Sequence, residues 1–191
     1  SGKTVIANGY NKMDPSFVKS ITDATREIRP GEVDGIDYYF PTYEKFKASV
    51  KANEYIEYEE YDGGMRGTRL SEFKRLHESG MHILHVCDTK GALTMQNIFG
   101  DKVKIFFIDC LDPVEQLISN SPSQSVPADI MLRKRLFERF KDKTKVERRL
   151  KLAKVEREMA NEHSWTVLNN NGTLDQALSD FDKIVREFLE L

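Results

Sequence analysis

The chain has 191 residues, which is enough for one domain or for one core with inserted subdomains. Its 29 basic residues nearly balance its 31 acidic residues, and 39 % of the residues are hydrophobic. This composition is typical of a globular protein and shows no overall bias toward nucleic acid or a membrane surface, so an anion-binding site has to come from a local cluster.

No apolar run reaches the length of a membrane span and no signal peptide is recognisable, so we expect neither a membrane partner nor secretion. The two cysteines, Cys87 and Cys110, make neither a disulfide framework nor a metal-ligand set. They indicate buried free thiols and a cytoplasmic protein.

The sequence given begins with SGKT, residues 1–4. A Gly-Lys-Thr triplet is the end of a phosphate-binding loop, in which amides bind phosphates, the lysine reaches the β- and γ-phosphates and the threonine hydroxyl holds Mg²⁺. The first glycine of that loop and the strand before it are not in the sequence, so the triplet either continues such a loop or is a degenerate site. We expect a helix to start at Thr4 and a strand over residues 17–21.

The stretch Arg26–Phe40, REIRPGEVDGIDYYF, combines two arginines three residues apart with a Pro-Gly turn, acidic residues and an aromatic cluster. Guanidinium groups donate two parallel hydrogen bonds to phosphate or carboxylate, and tyrosine hydroxyls donate to the same anion. We interpret the stretch as a loop with short strands that clamps a charged ligand. A salt-bridged surface hairpin is the alternative.

Alternating strand and helix patterns follow. The patterns predict helices over residues 43–53, 70–79, 92–99, 112–118 and 174–191, a basic helical region after residue 127, and strands over residues 54–61, 81–87, 103–108 and 164–168. The alternation predicts a parallel sheet with helices on both faces. Asp88 follows a buried strand, at the edge where such sheets bind ligands. A polar hinge is expected over Ser119–Pro127, and His82 and His85 are expected to pack rather than bind metal.

The run ATREIRPGEVDGIDYYF resembles the GMP-binding segment of guanylate kinases, TTR-x-x-R-x-GE-x-x-G-x-DY-x-F. EYIEY with the later RGT and the helix RRLKLAKVE also match that family, so the resemblance covers almost the whole chain. It implies an α/β, P-loop NTPase-like fold with a parallel sheet flanked by helices. The implied parts are a core (residues 1–21, 70–119 and 160–191), a GMP-binding insertion (22–69) and a helical lid (120–159).

The resemblance implies that Arg26, Arg29 and Tyr38 bind the GMP phosphate. It implies that Glu57 accepts from the N1–H and 2-amino groups of guanine and that Thr68 donates to O6. Adenine lacks that donor pair and would leave the carboxylate unpaired. The whole implied GMP set is Thr22, Arg26, Arg29, Glu32, Tyr38, Glu57, Arg66, Thr68 and Asp88. The chain departs from the family pattern at several positions: Ala24 stands in place of a threonine, Arg66 in place of a phosphate-binding tyrosine and Lys90 in place of a glutamine. The first of two aspartates either falls on Val86 or is lost through a one-residue shift.

The implied reaction is ATP + GMP to ADP + GDP, with Mg²⁺ as cofactor, ATP as donor and dGMP as a possible second acceptor. ATP is implied to contact Gly2, Lys3, Thr4 and Asn169, with Mg²⁺ on Thr4. Lys3, Arg135, Arg139 and Arg149 are the implied catalytic residues, neutralising charge on the transferring group. A monomer or homodimer is expected. The alternative is a catalytically weak or inactive guanylate-kinase-like domain that binds phosphopeptides or proteins through the same pocket; Lys3 favours the enzyme.

Overall fold

A computed structural model of the chain describes residues 2–61, 64–110, 130–170 and 172–190. The predicted helix over residues 112–118 and the predicted hinge Ser119–Pro127 lie outside these ranges. Two compact units are present, one formed by residues 1–6 with 101–191 and the other by residues 7–100. No helix in the described part of the chain is long and apolar enough to cross a bilayer.

Seven α-helices and eight strands lie in the described ranges, together with a 3₁₀ turn at Gly100–Lys102. The helices are α1 (Lys3–Met13), α2 (Tyr43–Lys51), α3 (Leu70–Glu78), α4 (Thr89–Phe99), α5 (Ile130–Phe140), α6 (Lys143–Glu162) and α7 (Leu174–Leu189). The strands are β1 (Phe17–Lys19), β2 (Thr22–Ala24), β3 (Tyr38–Tyr39), β4 (Tyr55–Tyr61), β5 (Gly64–Arg69), β6 (His82–Leu84), β7 (Phe106–Asp109) and β8 (Thr166–Asn169).

The unit of residues 7–100 contains a four-stranded sheet in the order β3-β2-β5-β4 and a parallel pair of β1 with β6. Strand β5 runs antiparallel to both of its neighbours, whereas β2 and β3 are parallel. Helix α2 begins after Thr42, whose side chain accepts a hydrogen bond from the Lys45 N–H. Its Phe46 stacks on Tyr55 with ring centroids 4.3 Å apart and packs with Met65, which forms the core on one face of the sheet.

A β-bulge between Tyr55 and Glu57 makes these two side chains point to opposite faces of the sheet. Strict alternation would point both side chains to the same side. Tyr55 instead packs on Phe46, and a Cβ at Gly67 would lie 3.1 Å from the Phe46 ring, so this ring covers the Gly67 face. Glu57 is paired in register with Thr68. Thr68 follows Gly67 on β5, so its side chain lies on the opposite face from the Phe46 ring. The bulge therefore leaves a polar face free of the aromatic core.

The unit of residues 1–6 and 101–191 contains the parallel pair β7–β8 and three of the helices. Phe181 of α7 packs on Phe106 with centroids 4.4 Å apart. Helices α5 and α6 pack against each other through Leu132, Val146 and Leu150.

Several predicted boundaries are corrected by the structure. The strand predicted over residues 81–87 is restricted to His82–Leu84, that over 103–108 lies at Phe106–Asp109, and that over 17–21 ends at Lys19. Strand β5 was not predicted, because GMRGTR has neither apolar alternation nor β-branched enrichment. It forms because its backbone groups pair on both sides with β2 and β4.

Helix α3 leaves its first apolar residue exposed and buries a carboxylate. Leu70 is 47 % exposed, whereas Glu72 is only 5 % exposed. The Glu72 carboxylate accepts from the Ile21 N–H at 3.0 Å and pairs with Arg75, which compensates for its burial.

Candidate active site

A row of four predicted residues crosses the polar face of the four-stranded sheet. Tyr38 pairs in register with Thr22, and Glu57 with Thr68 on the two strands beside them. The hydroxyls of Thr22 and Thr68 lie 3.2 Å apart. Glu57, Thr22 and Thr68 are 8 %, 5 % and 0 % exposed. Buried polar groups of this kind need partners, so the row is suited to a ligand that offers both donors and acceptors.

The start of helix α4 lies against the Glu57 carboxylate. A Cβ at Gly91 would lie 3.1 Å from Glu57 Oε2 and 2.8 Å from the Cys87 Cβ, so only glycine allows this approach. Asp88 caps the helix by accepting from the Gly91 N–H at 2.7 Å. His85 Nε2 lies 3.6 Å from Glu57 Oε1, and His85 Nδ1 lies 2.9 Å from the Ser20 hydroxyl. His85 is thus a packed residue, as predicted, and it lies directly behind the carboxylate.

Arg26 is held at the end of the predicted phosphate clamp. Its Nη1 and Nη2 donate to the two oxygens of Glu32, each at 2.6 Å, and its guanidinium carbon lies 5.1 Å from the Tyr38 ring centroid. The Arg29 backbone N–H donates to Glu32 at 2.9 Å. The hydrogen bond from Arg26 lowers the pKa of Glu32 from its usual value. Glu32, predicted in the GMP set, therefore contacts the arginine that is predicted to bind phosphate, and the Arg29 side chain is exposed.

Arg66 lies on the same polar face, two residues before Thr68 on β5, and it pairs in register with Glu59 on β4. Its Nη2 donates to Glu59 Oε1. Burial, followed by a hydrogen bond with Asp88, raises the pKa of Glu59 to about 7, and the positive charge of Arg66 opposes this rise. Sequence reasoning placed Arg66 and Asp88 in the site but missed Glu59. The signal was the alternation EYEEY, which puts Glu59 on the Glu57 side of the strand.

The residues predicted for ATP belong to the other unit. Lys3 and Thr4 form the first turn of α1, where backbone N–H groups and the helix dipole favour an anion. Gly2 precedes them with φ +87°, and a Cβ there would lie 2.2 Å from the Asn170 amide nitrogen. Asn169 ends strand β8 and is followed by this asparagine.

The three predicted lid arginines have different environments. Arg135 donates from Nη1 to the Asn170 carbonyl at 2.8 Å and to Cys110 Sγ at 2.9 Å. Arg139 is exposed, and its guanidinium lies 5.2 Å from the Phe140 ring centroid. Arg149 is exposed on α6. Arg135 therefore lies beside the asparagine that contacts Gly2, whereas the other two side chains face solvent.

One further ion pair in this unit was not predicted. Arg157 donates to both carboxylate oxygens of Asp109, with Nε to Oδ2 at 2.5 Å and Nη2 to Oδ1 at 3.0 Å. Asp109 ends strand β7 and is 6 % exposed. Neither cysteine forms a disulfide; Cys110 is buried, as predicted, whereas Cys87 is only half-buried.

The sequence is similar to one protein family over almost its whole length. The family model described as guanylate kinase matches residues 2–188. The chain is 32 % identical to the guanylate kinase of Salinibacter ruber, with 99 % of this chain and 92 % of that protein covered. It is 34 % identical to a guanylate kinase of Thermus thermophilus, with 85 % and 66 % covered.

Among solved structures, a crystal structure of guanylate kinase from Anaplasma phagocytophilum matches with a TM-score of 0.69 at 23 % identity. The match covers 97 % of this chain and 81 % of that one, and it confirms the predicted P-loop NTPase-like α/β fold. The match to the family model and the identities of more than 30 % show the family from sequence similarity. The chain therefore belongs to the guanylate kinase family, the ATP:GMP phosphotransferases.

Proposed function

We propose that the polar face of the four-stranded sheet is the GMP site of this phosphotransferase. Family membership makes the chain a nucleoside monophosphate kinase that transfers the γ-phosphoryl group of ATP to GMP. The observation that supports the location is the buried pairing of Glu57 with Thr68, with Thr22 3.2 Å from the latter. The carboxylate would accept from N1–H and the 2-amino group of guanine, and the hydroxyls would serve O6.

The GMP phosphate is assigned to Arg26, Arg29, Tyr38 and Arg66. Glu32 occupies the Nη1–Nη2 edge of Arg26, and Nη1 also donates to the Glu27 carbonyl. The Nε–Nη2 edge has no protein acceptor among the contacts of the described residues, and this edge is one that binds a phosphate bidentately. In this arrangement Glu32 fixes the direction of the guanidinium, and the phosphate takes the other edge.

The ATP phosphates are assigned to the first turn of α1, with Lys3 on the β- and γ-phosphates and Asn169 near the adenine. Thr4 is the proposed ligand of Mg²⁺, which would neutralise charge on the β- and γ-oxygens. The described part of the chain has no cluster of three or more His, Cys, Asp or Glu that could hold a metal. This fits magnesium, which commonly takes few protein ligands and completes its shell with phosphate oxygens and water.

Catalysis by this site needs no general base, because the attacking group is already an anionic phosphate oxygen. The proposed work is positioning and charge neutralisation, by Lys3, Arg135, Arg139 and Arg149. Arg135 now donates to Asn170 and Cys110 and would exchange these partners for the transferring group. The division into core, GMP-binding insertion and lid, use of dGMP, and a cytoplasmic location remain part of this proposal.

Substitution of Glu57 by Gln tests the base assignment. Gln replaces one acceptor oxygen by a donor that faces the guanine N–H groups, so we expect GMP to bind about 30-fold more weakly, for a loss of about 2 kcal/mol. AMP affinity should change less than about threefold, since adenine lacks the donor pair. Calorimetric titration measures both affinities, with Glu60→Gln, an exposed neighbour on the same strand, as control. Equal losses for the two nucleotides would reject Glu57 as the base-recognising residue.

A further inference from the structure

Glu59 lies in the proposed GMP site and has no ligand assigned to it. It stands two residues beyond Glu57, pairs in register with Arg66, and its side chain is 18 % exposed. The charged and titratable groups that face it are Arg66 from β5, Asp88 from the start of α4, and Glu57 and Tyr61 from its own strand. It is therefore surrounded by two other carboxylates and one cation.

Two anions compete for Arg66 in this arrangement, the Glu59 carboxylate and the GMP phosphate. Its Nη2 donates to the Glu59 carboxylate, while its position on the polar face is the one assigned above to the GMP phosphate. A phosphate at Arg66 adds negative charge beside Glu59 and competes for the cation that faces it. Both effects favour the protonated form of Glu59, which can donate to Asp88 rather than accept from Arg66.

We propose that Glu59 is a positioning residue that controls GMP affinity, holding Arg66 when it is ionised and leaving Arg66 to the phosphate when it is protonated and bonded to Asp88. This inference rests on the proposed function, because it requires the phosphate to reach Arg66. The pKa of Glu59, about 7 without ligand, places the change in the neutral range. Phosphate binding raises the pKa of Glu59 further. The affinity for GMP is therefore highest below pH 7 and decreases as the pH rises above it.

Glu59→Gln mimics the protonated form, since its amide can donate to Asp88 and it carries no charge to compete for Arg66. We expect the variant and the unmodified protein to bind GMP equally at pH 6.0. At pH 8.5 the variant should bind about tenfold more tightly, the effect of a one-unit rise in the Glu59 pKa on binding. The ratio of the two dissociation constants cancels the ionisation of GMP itself. Glu60→Gln serves as the exposed control.

A second measurement uses the unmodified protein and does not depend on the variant folding. At pH 8.0 the GMP phosphate is already dianionic, because its second pKa is about 6. Calorimetry in buffers of different ionisation enthalpy should therefore show uptake of a substantial fraction of a proton for each GMP bound.

The outcomes separate the inference from the proposed function. A ratio that stays constant from pH 6.0 to 8.5, or no proton uptake at pH 8.0, overturns the role of Glu59 while leaving the GMP site in place. Absence of GMP binding by the unmodified protein overturns both. Arg66→Gln should abolish the pH dependence as well, because it removes the group for which the two anions compete.

Discussion

Removal of one hydroxyl at Tyr55 should destabilise the four-stranded sheet without changing any side chain on its polar face. The Tyr55 hydroxyl donates to Asp23 Oδ2 at 2.5 Å, and Arg69 Nε donates to the same oxygen at 2.9 Å. Asp23 is 1 % exposed, and its Oδ1 has no hydrogen-bond partner among the described residues. Burial, followed by the hydrogen bond to Asp23, raises the pKa of Tyr55, so the hydroxyl stays protonated and donates throughout the neutral range.

A hydrogen bond to a buried charged group contributes about 1.5–3 kcal/mol to stability. We therefore expect Tyr55→Phe to lower the free energy of unfolding by about 2 kcal/mol. With a urea m-value of about 2 kcal/mol/M, the midpoint should decrease by about 1 M. The aromatic stacking on Phe46 remains in this variant, which isolates the hydroxyl from the packing of the ring.

The assay is urea unfolding followed by circular dichroism, because the chain's one tryptophan, Trp165, belongs to the unit of residues 1–6 and 101–191 and reports on that unit. Tyr58→Phe is the matched control: Tyr58 is on the same strand but 52 % exposed, so its midpoint should change by less than about 0.2 M. Equal midpoints for the Tyr55 and Tyr58 variants would refute the reasoning, since they would mean that the hydrogen bond from Tyr55 to Asp23 adds nothing to stability.

Two further predictions concern the nucleotides. Lys3→Ala should lower kcat about a thousandfold while leaving the dissociation constant of GMP unchanged, because the ammonium group is proposed to contact only the donor phosphates. Lys12→Ala, exposed near the end of the same helix, should retain activity. Steady turnover by the Lys3 variant in a coupled ADP-release assay would contradict the assignment. Glu32→Gln should raise KM for GMP about fivefold with little change in kcat, because a neutral amide holds Arg26 less firmly. Steady-state kinetics with Glu27→Gln as the exposed control measures this, and a decrease in KM would show that Glu32 competes with the phosphate instead.

The family resemblance named residues from different parts of the chain that the structure brings together. Glu57 and Thr68 were predicted to read the same base, and they pair directly across β4 and β5. The spacing of the motif puts the two residues on neighbouring strands, and backbone pairing of those strands brings them together. The roles of these side chains toward a nucleotide stay predictions.

Long-range partners were not predictable in the same way. The bulge after Tyr55 depends on backbone pairing with β5, and β5 itself has no local signal in GMRGTR. The ion pair of Asp109 with Arg157 joins residues 48 positions apart, and neither residue type indicates the other. Features that arise from tertiary pairing leave little trace in a local pattern.

The two arginines proposed to bind phosphate, Arg26 and Arg66, are each paired with a carboxylate, and the two carboxylates differ in pKa. Glu32 has its pKa lowered by Arg26 and so stays ionised at neutral pH, which keeps that guanidinium fixed. Glu59 has its pKa raised to about 7 by burial and by Asp88, so its hold on Arg66 changes within the neutral range. Both arginines are paired with a carboxylate, but only the pair of Arg66 with Glu59 is broken by protonation of the carboxylate in the neutral range. On the proposed assignment, a phosphate would find Arg26 already oriented and would draw Arg66 away from Glu59, so proton uptake is the expected consequence of binding.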